Sequence, residues 1–372
     1  MLQIRKILFT YTRDTYLFEE GQVVSSDFPV IDCEIGYSPF GCSPWMLSNI
    51  RNMDFSASDR YPEMFYAELL KPKLIERFGE AGLTPQNIFL GHGSFNLAER
   101  IIHKFVNPRS MIGYGPQFNE IPTEMEAAGG LYKPVPLSEG FIFPVGKIID
   151  ELRIGRHSML YIDNPNNPTG FLIPLEVLKH LIATAEPVGI IVLVDEAYGD
   201  FIADEHSAFN LVREYSNVMV VRSFSKALGL AAQRIGYMAI SDALVQYYSK
   251  VDVPFEPTLI SAHMARLTLE DKIYIARIRN LTRECKAEIQ FVLRQAGIEV
   301  LPTHSDVSIL MAYKPGINLF AHFQKMGIKV EDGAAYVRTN SSMNNSFVRI
   351  RVPTQEQTEE VVRRIQTHDF SS

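Results

Sequence analysis

The run Gly189-Ile190-Ile191-Val192-Leu193-Val194 constrains this chain more than any other stretch. It is apolar at consecutive positions and rich in β-branched residues. A half-exposed strand alternates apolar and polar residues, whereas an apolar run without alternation needs cover on both faces. Helices supply that cover when strands and helices alternate, so the run belongs in a mostly parallel sheet. The segment Leu175 to Ala185 just before it has helical apolar spacing. Asp195-Glu196 closes the run at its carboxyl end, where open α/β sheets bind ligands.

The rest of the chain repeats this logic without repeating its sequence. Leu74, Ile75, Phe78 and Ala81 follow helical spacing, with Gly82 as the stop. Asn87 to Leu90 reads as a buried strand that breaks at Gly91-His92-Gly93-Ser94, and Leu97, Ile101, Ile102 and Phe105 then mark one helix face. Ser158 to Ile162 and Asn217 to Val221 read as further strands. Pro254-Phe255-Glu256-Pro257 is the clearest punctuation. Beyond it lie a long helical segment, Leu259 to Ala296, and short strands near Val307 to Met311 and Phe347 to Val352. The expected fold is α/β: residues 1–30 as an N-terminal arm, 31–257 as a large domain with a mostly parallel sheet, and 258–372 as a smaller α+β domain.

Composition narrows the function. The 36 basic residues are outnumbered by 43 acidic ones, which argues against a nucleic-acid binder. No apolar run approaches the roughly 18 residues of a membrane helix, and Met1 to Lys6 lacks the features of a secretory leader. Three cysteines, Cys33, Cys42 and Cys285, make no disulfide framework, and no HExxH spacing suggests a metal site. These features point to a cytoplasmic protein without a metal.

Four constellations carry chemistry. In Ser223-Phe224-Ser225-Lys226, a lysine follows a strand among hydroxyl residues, with Arg234 eight residues on. Ser223, Ser225 and Arg234 suit a phosphate, and a neighbouring cation with desolvation lowers a lysine pKa as an imine-forming amine requires. Asp195-Glu196-Ala197-Tyr198 puts a carboxylate at a strand end, able to keep a pyridine nitrogen protonated. Asn164-Pro165-Asn166-Asn167-Pro168-Thr169-Gly170 is a rigid turn that presents an amide. Gly91-His92-Gly93-Ser94-Phe95 opens a helix, where backbone N–H groups favour anions.

In this order and spacing the motifs resemble the class I/II pyridoxal-phosphate (PLP) aminotransferases of fold type I, over about residues 30 to 365. Ser38-Pro39-Phe40-Gly41 and Arg60-Tyr61-Pro62 are similar to segments of the histidinol-phosphate aminotransferase-like branch. The resemblance implies pyridoxal 5'-phosphate as cofactor, with Lys226 as the Schiff-base lysine that also shuttles the substrate proton. It implies Asp195 at the pyridinium nitrogen, Asn167 and Tyr198 at the ring hydroxyl oxygen, and Phe118 stacked on the ring. Gly93, Ser94, Phe95, Ser223, Ser225 and Arg234 are then the phosphate cup. Tyr61 reaches the phosphate of a neighbouring subunit, which implies a homodimer with shared active sites. Arg349 binds the substrate α-carboxylate, with Arg351 on the same strand face as its rival, and Arg338 and Gly36 add substrate contacts.

Some positions depart from that branch. Ser38 stands where relatives have asparagine, Phe95 offers only its backbone, and Gly115 to Glu120 does not match the usual Pro-Thr-Tyr run. The departures cluster where substrate side chains are read. Aminotransfer on an L-amino acid is the leading expectation. A PLP-dependent cyclodehydratase or elimination/replacement enzyme, for example one that cyclises a hydroxylated arginine to enduracididine, is the alternative. Asp14, Glu19, Glu20, Glu34 and Glu120 are then the acids available to a guanidinium. A non-enzymatic sensor is disfavoured by the joint presence of Lys226, Asp195 and Arg234.

Overall fold

The computed structural model describes residues 5–9, 11, 28–54, 56–61 and 69–371. A short strand, β1 (Ile31–Asp32), precedes seven strands that share one sheet: β2 (Ile88–Gly91), β3 (Ser110–Gly115), β4 (Leu131–Pro136), β5 (Met159–Asp163), β6 (Ile191–Glu196), β7 (Val218–Ser223) and β8 (Gly236–Ile240). Their spatial order is β2-β8-β7-β6-β5-β3-β4. Neighbours from β4 through β7 run parallel, and β8 runs antiparallel to both β7 and β2.

The apolar run behaves as its composition requires. Val192 and Val194 of β6 face one core, shared with Leu178, Leu181 and Ile182 of the helix Leu175–Ala185. Leu193 faces the other, with Leu97, Ile101 and Ile102. Period-two alternation therefore feeds two apolar layers at once. Chain order also matters. After β3 the chain steps outward to β4, then returns to lay down β5, β6 and β7 on the other side of β3. The reversal between β3 and β5 opens a crevice at the carboxyl ends of the strands.

Strands β9 (Glu299–Val300), β10 (Ile309–Tyr313), β11 (Ile328–Lys329), β12 (Glu331–Asp332) and β13 (Phe347–Arg351) build the smaller unit. An antiparallel sheet β12-β13-β10-β9 covers a core that includes Ile289, Leu310, Val348, Ile350, Val361 and Ile365. β11 pairs in parallel with β1.

Two details differ from the sequence division. The segment 259–296 is two helices, Leu259–Glu270 and Lys272–Gln295. Asp271 breaks them at φ −84°, ψ 76° and caps the second, accepting from the Tyr274 N–H at 3.1 Å. Ala262 and Ala265 of the first helix pack into the large core, whereas Ile31 and Cys33 pack into the small one. The two cores therefore meet at no single sequence boundary. From the segment 1–30, Arg5 and Tyr11 donate to the carbonyls of Ala128 (3.1 Å) and Thr123 (3.2 Å).

Candidate active site

β6 and β7 end side by side, which brings Asp195 close to the segment that carries Lys226. Asp195 is buried; the Ala197 N–H donates to its Oδ1 at 2.9 Å and the Tyr161 hydroxyl to its Oδ2 at 3.4 Å. Burial, then the nearby Asp163 carboxylate, lifts its pKa to about 7. Burial, then the Arg349 charge, lowers Lys226 to about 8. A lysine poised there supplies neutral amine near physiological pH.

Gly36 crosses directly over this lysine. A Cβ at Gly36 would lie 2.2 Å from the Tyr198 hydroxyl oxygen and 3.4 Å from Lys226 Nζ, so only glycine passes. The Tyr198 hydroxyl is buried and has no hydrogen-bond partner among the described residues. Such an orphaned group costs free energy unless a ligand oxygen meets it. Asn167 Oδ1 accepts from Arg349 Nη1 at 2.9 Å and from the Tyr336 hydroxyl at 3.3 Å. Arg349 also ion-pairs with Glu331 and donates to the Glu34 carbonyl.

A second cluster lies at the β2 and β7 ends. Arg234 is left-handed at φ 46°, and its Nη1 reaches Ser225 Oγ at 3.3 Å. Its Nη2 lies 3.0 Å from where a Cβ on Gly93 would stand. Gly93 itself has φ +94°, and a Cβ on Gly236 would sit 2.6 Å from the Gly93 carbonyl carbon and 2.7 Å from the Ser94 nitrogen. The Ser225 N–H donates to Ser223 Oγ at 3.1 Å. Among the described residues no carboxylate pairs with Arg234. A guanidinium, two hydroxyls and a glycine turn form a cradle whose chemistry fits a phosphate.

The remaining expected residues have other partners as well. Arg338 is committed to an ion pair with Glu126. Phe95 and Phe118 pack their rings against the core that holds Leu97 and Met125; the Phe118 N–H donates to Asp163 at 3.2 Å. Tyr61 is 76% exposed and stacks on Phe255, with ring centroids 4.1 Å apart. The rival Arg351 donates to the carbonyls of Val352 and Asp32 and lies over the Tyr37 ring. Of the acids considered for a guanidinium, Glu34 pairs with Lys329 at 2.6 Å and Glu120 is buried. Asp14, Glu19 and Glu20 fall outside the described residues.

Sequence reasoning missed Asp163, Glu331 and Tyr336. Asp163 carried the same signal as Asp195, a carboxylate at a buried strand end, but stood inside a turn motif that drew attention to its asparagines. Glu331 and Tyr336 carried none: β12–β13 register brings Glu331 to Arg349, and Tyr336 reaches it from the short helical turn Gly333–Tyr336 that follows β12.

Comparison with known proteins identifies the family. The family model "aminotransferase class I and II" matches residues 30–365. A histidinol-phosphate aminotransferase of Clostridium novyi (strain NT) is 30% identical over 80% of this chain and 81% of its own. An aromatic amino acid aminotransferase of Mycobacterium sp. (strain KMS) is 34% identical over 67% of this chain and 70% of its own. In three dimensions the chain resembles histidinol-phosphate aminotransferase from Sinorhizobium meliloti, solved in complex with pyridoxal-5'-phosphate. The TM-score is 0.75 at 20% identity, over 91% of this chain and 90% of that one. Among the described residues no helix is long and apolar enough to cross a membrane.

Proposed function

This chain belongs to the aminotransferase class I and II family, as a pyridoxal 5'-phosphate enzyme of its histidinol-phosphate aminotransferase-like group, and from that premise we propose a role for each residue of the cluster. Lys226 attaches the cofactor and moves the proton at the substrate α-carbon. Asp195 faces the ring nitrogen, Asn167 and Tyr198 hold the ring oxygen, and Phe118 stacks on the ring. Gly93, Ser94, Phe95, Ser223, Ser225 and Arg234 hold the phosphate, with the Phe95 contribution coming from its backbone. Arg349 takes the substrate carboxylate. Gly36 closes over the reacting atoms, and Arg338 lies farther out, held by Glu126.

The cofactor, when bound, supplies an electron sink for charge at the α-carbon. The observation that carries this reading is the meeting of Lys226 Nζ and the orphaned Tyr198 hydroxyl beneath Gly36. An amine near pH 8 exchanges protons readily at neutrality, which general acid–base work needs. The nearly buried Arg349 offers a charge-assisted grip whose strength grows as water is excluded.

The reaction moves an amino group between an L-amino acid and a keto acid. The protein works as a homodimer in the cytoplasm. Two features support this: the Tyr61 ring, stacked on Phe255, leaves most of its surface open towards a neighbour's cup, and Cys33, Cys42 and Cys285 are unpaired thiols.

The test is a single-turnover absorbance measurement on the holoenzyme, adding one amino donor at a time without a keto acid. Histidinol phosphate, glutamate, aromatic amino acids, arginine and γ-hydroxyarginine make up the panel. Stoichiometric conversion of the cofactor to its amine form identifies a transaminase and its donor. Product release with the cofactor unchanged would instead mark cyclising or eliminating chemistry.

A further inference from the structure

Asp163 and Asp195 are direct partners across the parallel β5–β6 ladder. Neighbouring strands lie about 4.8 Å apart, so two buried carboxylates stand side by side at the strand ends. Asp163 is 3% exposed and Asp195 is 4% exposed.

Their surroundings differ in kind. Four N–H groups converge on Asp163. Gln117 Nε2 donates to Oδ1 at 3.1 Å, and the backbone N–H groups of Phe118 and Asn167 donate to Oδ2 at 3.2 and 3.0 Å. Asn166 Nδ2 approaches both oxygens, at 3.2 and 3.3 Å. Every one of these partners is a donor. Burial raises the Asp163 pKa above the ordinary carboxylate value, and the four N–H donors pull it back down; a protonated Asp163 would aim its own hydrogen at another donor, so the donor set favours the ionised form. Among the described residues, the Asp195 carboxylate receives only the Ala197 N–H and a long contact from Tyr161. Besides Asp163 and Tyr161 on β5, the groups facing Asp195 are Lys226, from the segment after β7, and Tyr198 on its own loop. When two like charges share a buried site, the less solvated one takes the proton. The upward shift of Asp195, with Asp163 as its second cause, agrees.

We infer that Asp163 is a positioning residue: its fixed negative charge makes Asp195 hold a shared proton, and its four hydrogen bonds tie the Phe118 and Asn167 segments to that same point. Asp163 thus acts on the cofactor ring only through Asp195 and through the backbone of two flanking turns. The inference rests on the proposed meeting of Asp195 with the ring nitrogen.

The experiment measures the PLP dissociation constant of the enzyme between about pH 5 and pH 9, by equilibrium dialysis. Wild type is compared with D163N, D163S, D163E, D195N and the D163N/D195N double variant. Affinity should weaken as the pH passes the point where the shared proton is lost. In D163N and D163S that midpoint should fall by about one pH unit, a tenfold drop in proton affinity. D163E keeps the charge and should keep the midpoint, even where affinity falls throughout. A purely structural role for Asp163 would weaken affinity in all three variants and move no midpoint, which overturns the inference. So would a D163N shift that persists undiminished in the D195N background. If D195N by itself matches wild type in affinity and pH profile, the assignment of Asp195 to the ring nitrogen fails instead.

Discussion

Asp195 and Arg349 both act electrostatically on Lys226, with opposite signs, yet folding delivers them in different ways. Asp195 ends a strand whose apolar run dictates its own burial, and the phosphate cradle is likewise made of strand ends and the turns just after them. Arg349 sits in the middle of β13, and its partners arrive from four other places: Asn167 from the β5 turn, Glu331 across from it on β12, Tyr336 further along, and the Glu34 carbonyl from the segment after β1. The first half of the site is a property of one sheet. The second exists only when the small unit docks against the large one. The cofactor half should therefore tolerate changes that leave the sheet intact, while the substrate half should couple activity to stability.

The largest effect expected is at the meeting point. Lys226→Ala should lower turnover by about 10⁴-fold, the worth of a lost proton shuttle and covalent anchor. Single-turnover absorbance reads it, and full activity in this variant overturns the functional assignment.

Next come matched substitutions in the two halves. Arg349→Gln leaves Glu331 as a nearly buried unpaired carboxylate, so the midpoint of urea unfolding should fall by the equivalent of about 3 kcal/mol alongside the loss of kcat/KM. Arg234→Gln removes an exposed guanidinium with no carboxylate partner among the described residues. It should weaken PLP binding with less than about 1 kcal/mol of change in cofactor-free stability. Equal destabilisation by the two would erase the distinction drawn above.

The pH response of the cofactor-free protein is of comparable size but confined to one pH interval. Asp195 titrates at about 7 in the fold against an ordinary value of 3.8. Between those values the folded chain holds a proton that the unfolded chain has released. The contribution of Asp195 is therefore fully favourable below about pH 4 and is lost as pH rises through 7. Relative to wild type, Asp195→Asn should gain stability across that interval, by up to about 2–4 kcal/mol. Thermal melts at a series of pH values check it, and a constant difference would count against a buried, proton-holding Asp195.

The smallest effect concerns Glu331, which occupies the guanidinium that the substrate carboxylate is proposed to take. Glu331→Gln weakens that internal competitor. The KM for the amino donor should fall by up to about tenfold, or roughly 1.4 kcal/mol. A rise in KM would show that Glu331 holds Arg349 in its productive position rather than competing for it.

Much of this was legible before any coordinates. The parallel sheet followed from Ile191 to Val194 and from the alternation of strands and helices, because burial on two faces leaves a compositional mark. The glycine turn at Gly93 was legible from its place between a strand and a helix, and its left-handed φ is one that glycine adopts readily; Gly36 rested on the family resemblance alone. The break at Asp271 was not, since helical periodicity continues across it and only a cap and a change of packing partner separate the two helices. Arg338 rested on the family resemblance alone, and its ion pair with Glu126 had no signal in the sequence.

Sequence by itself determined the sheet, the order of the motifs and the identity of the groups at the strand ends, because strand burial, turn chemistry and strand-end position are local or periodic properties. Tertiary structure alone decided which carboxylate neighbours which. Asp163 meets Asp195 through parallel register, and Glu331 meets Arg349 through antiparallel register. A pairing register is a relation between distant segments, and a shift of one residue would turn these side chains to the other face. The charges that tune Lys226 and Asp195 are set by those pairings.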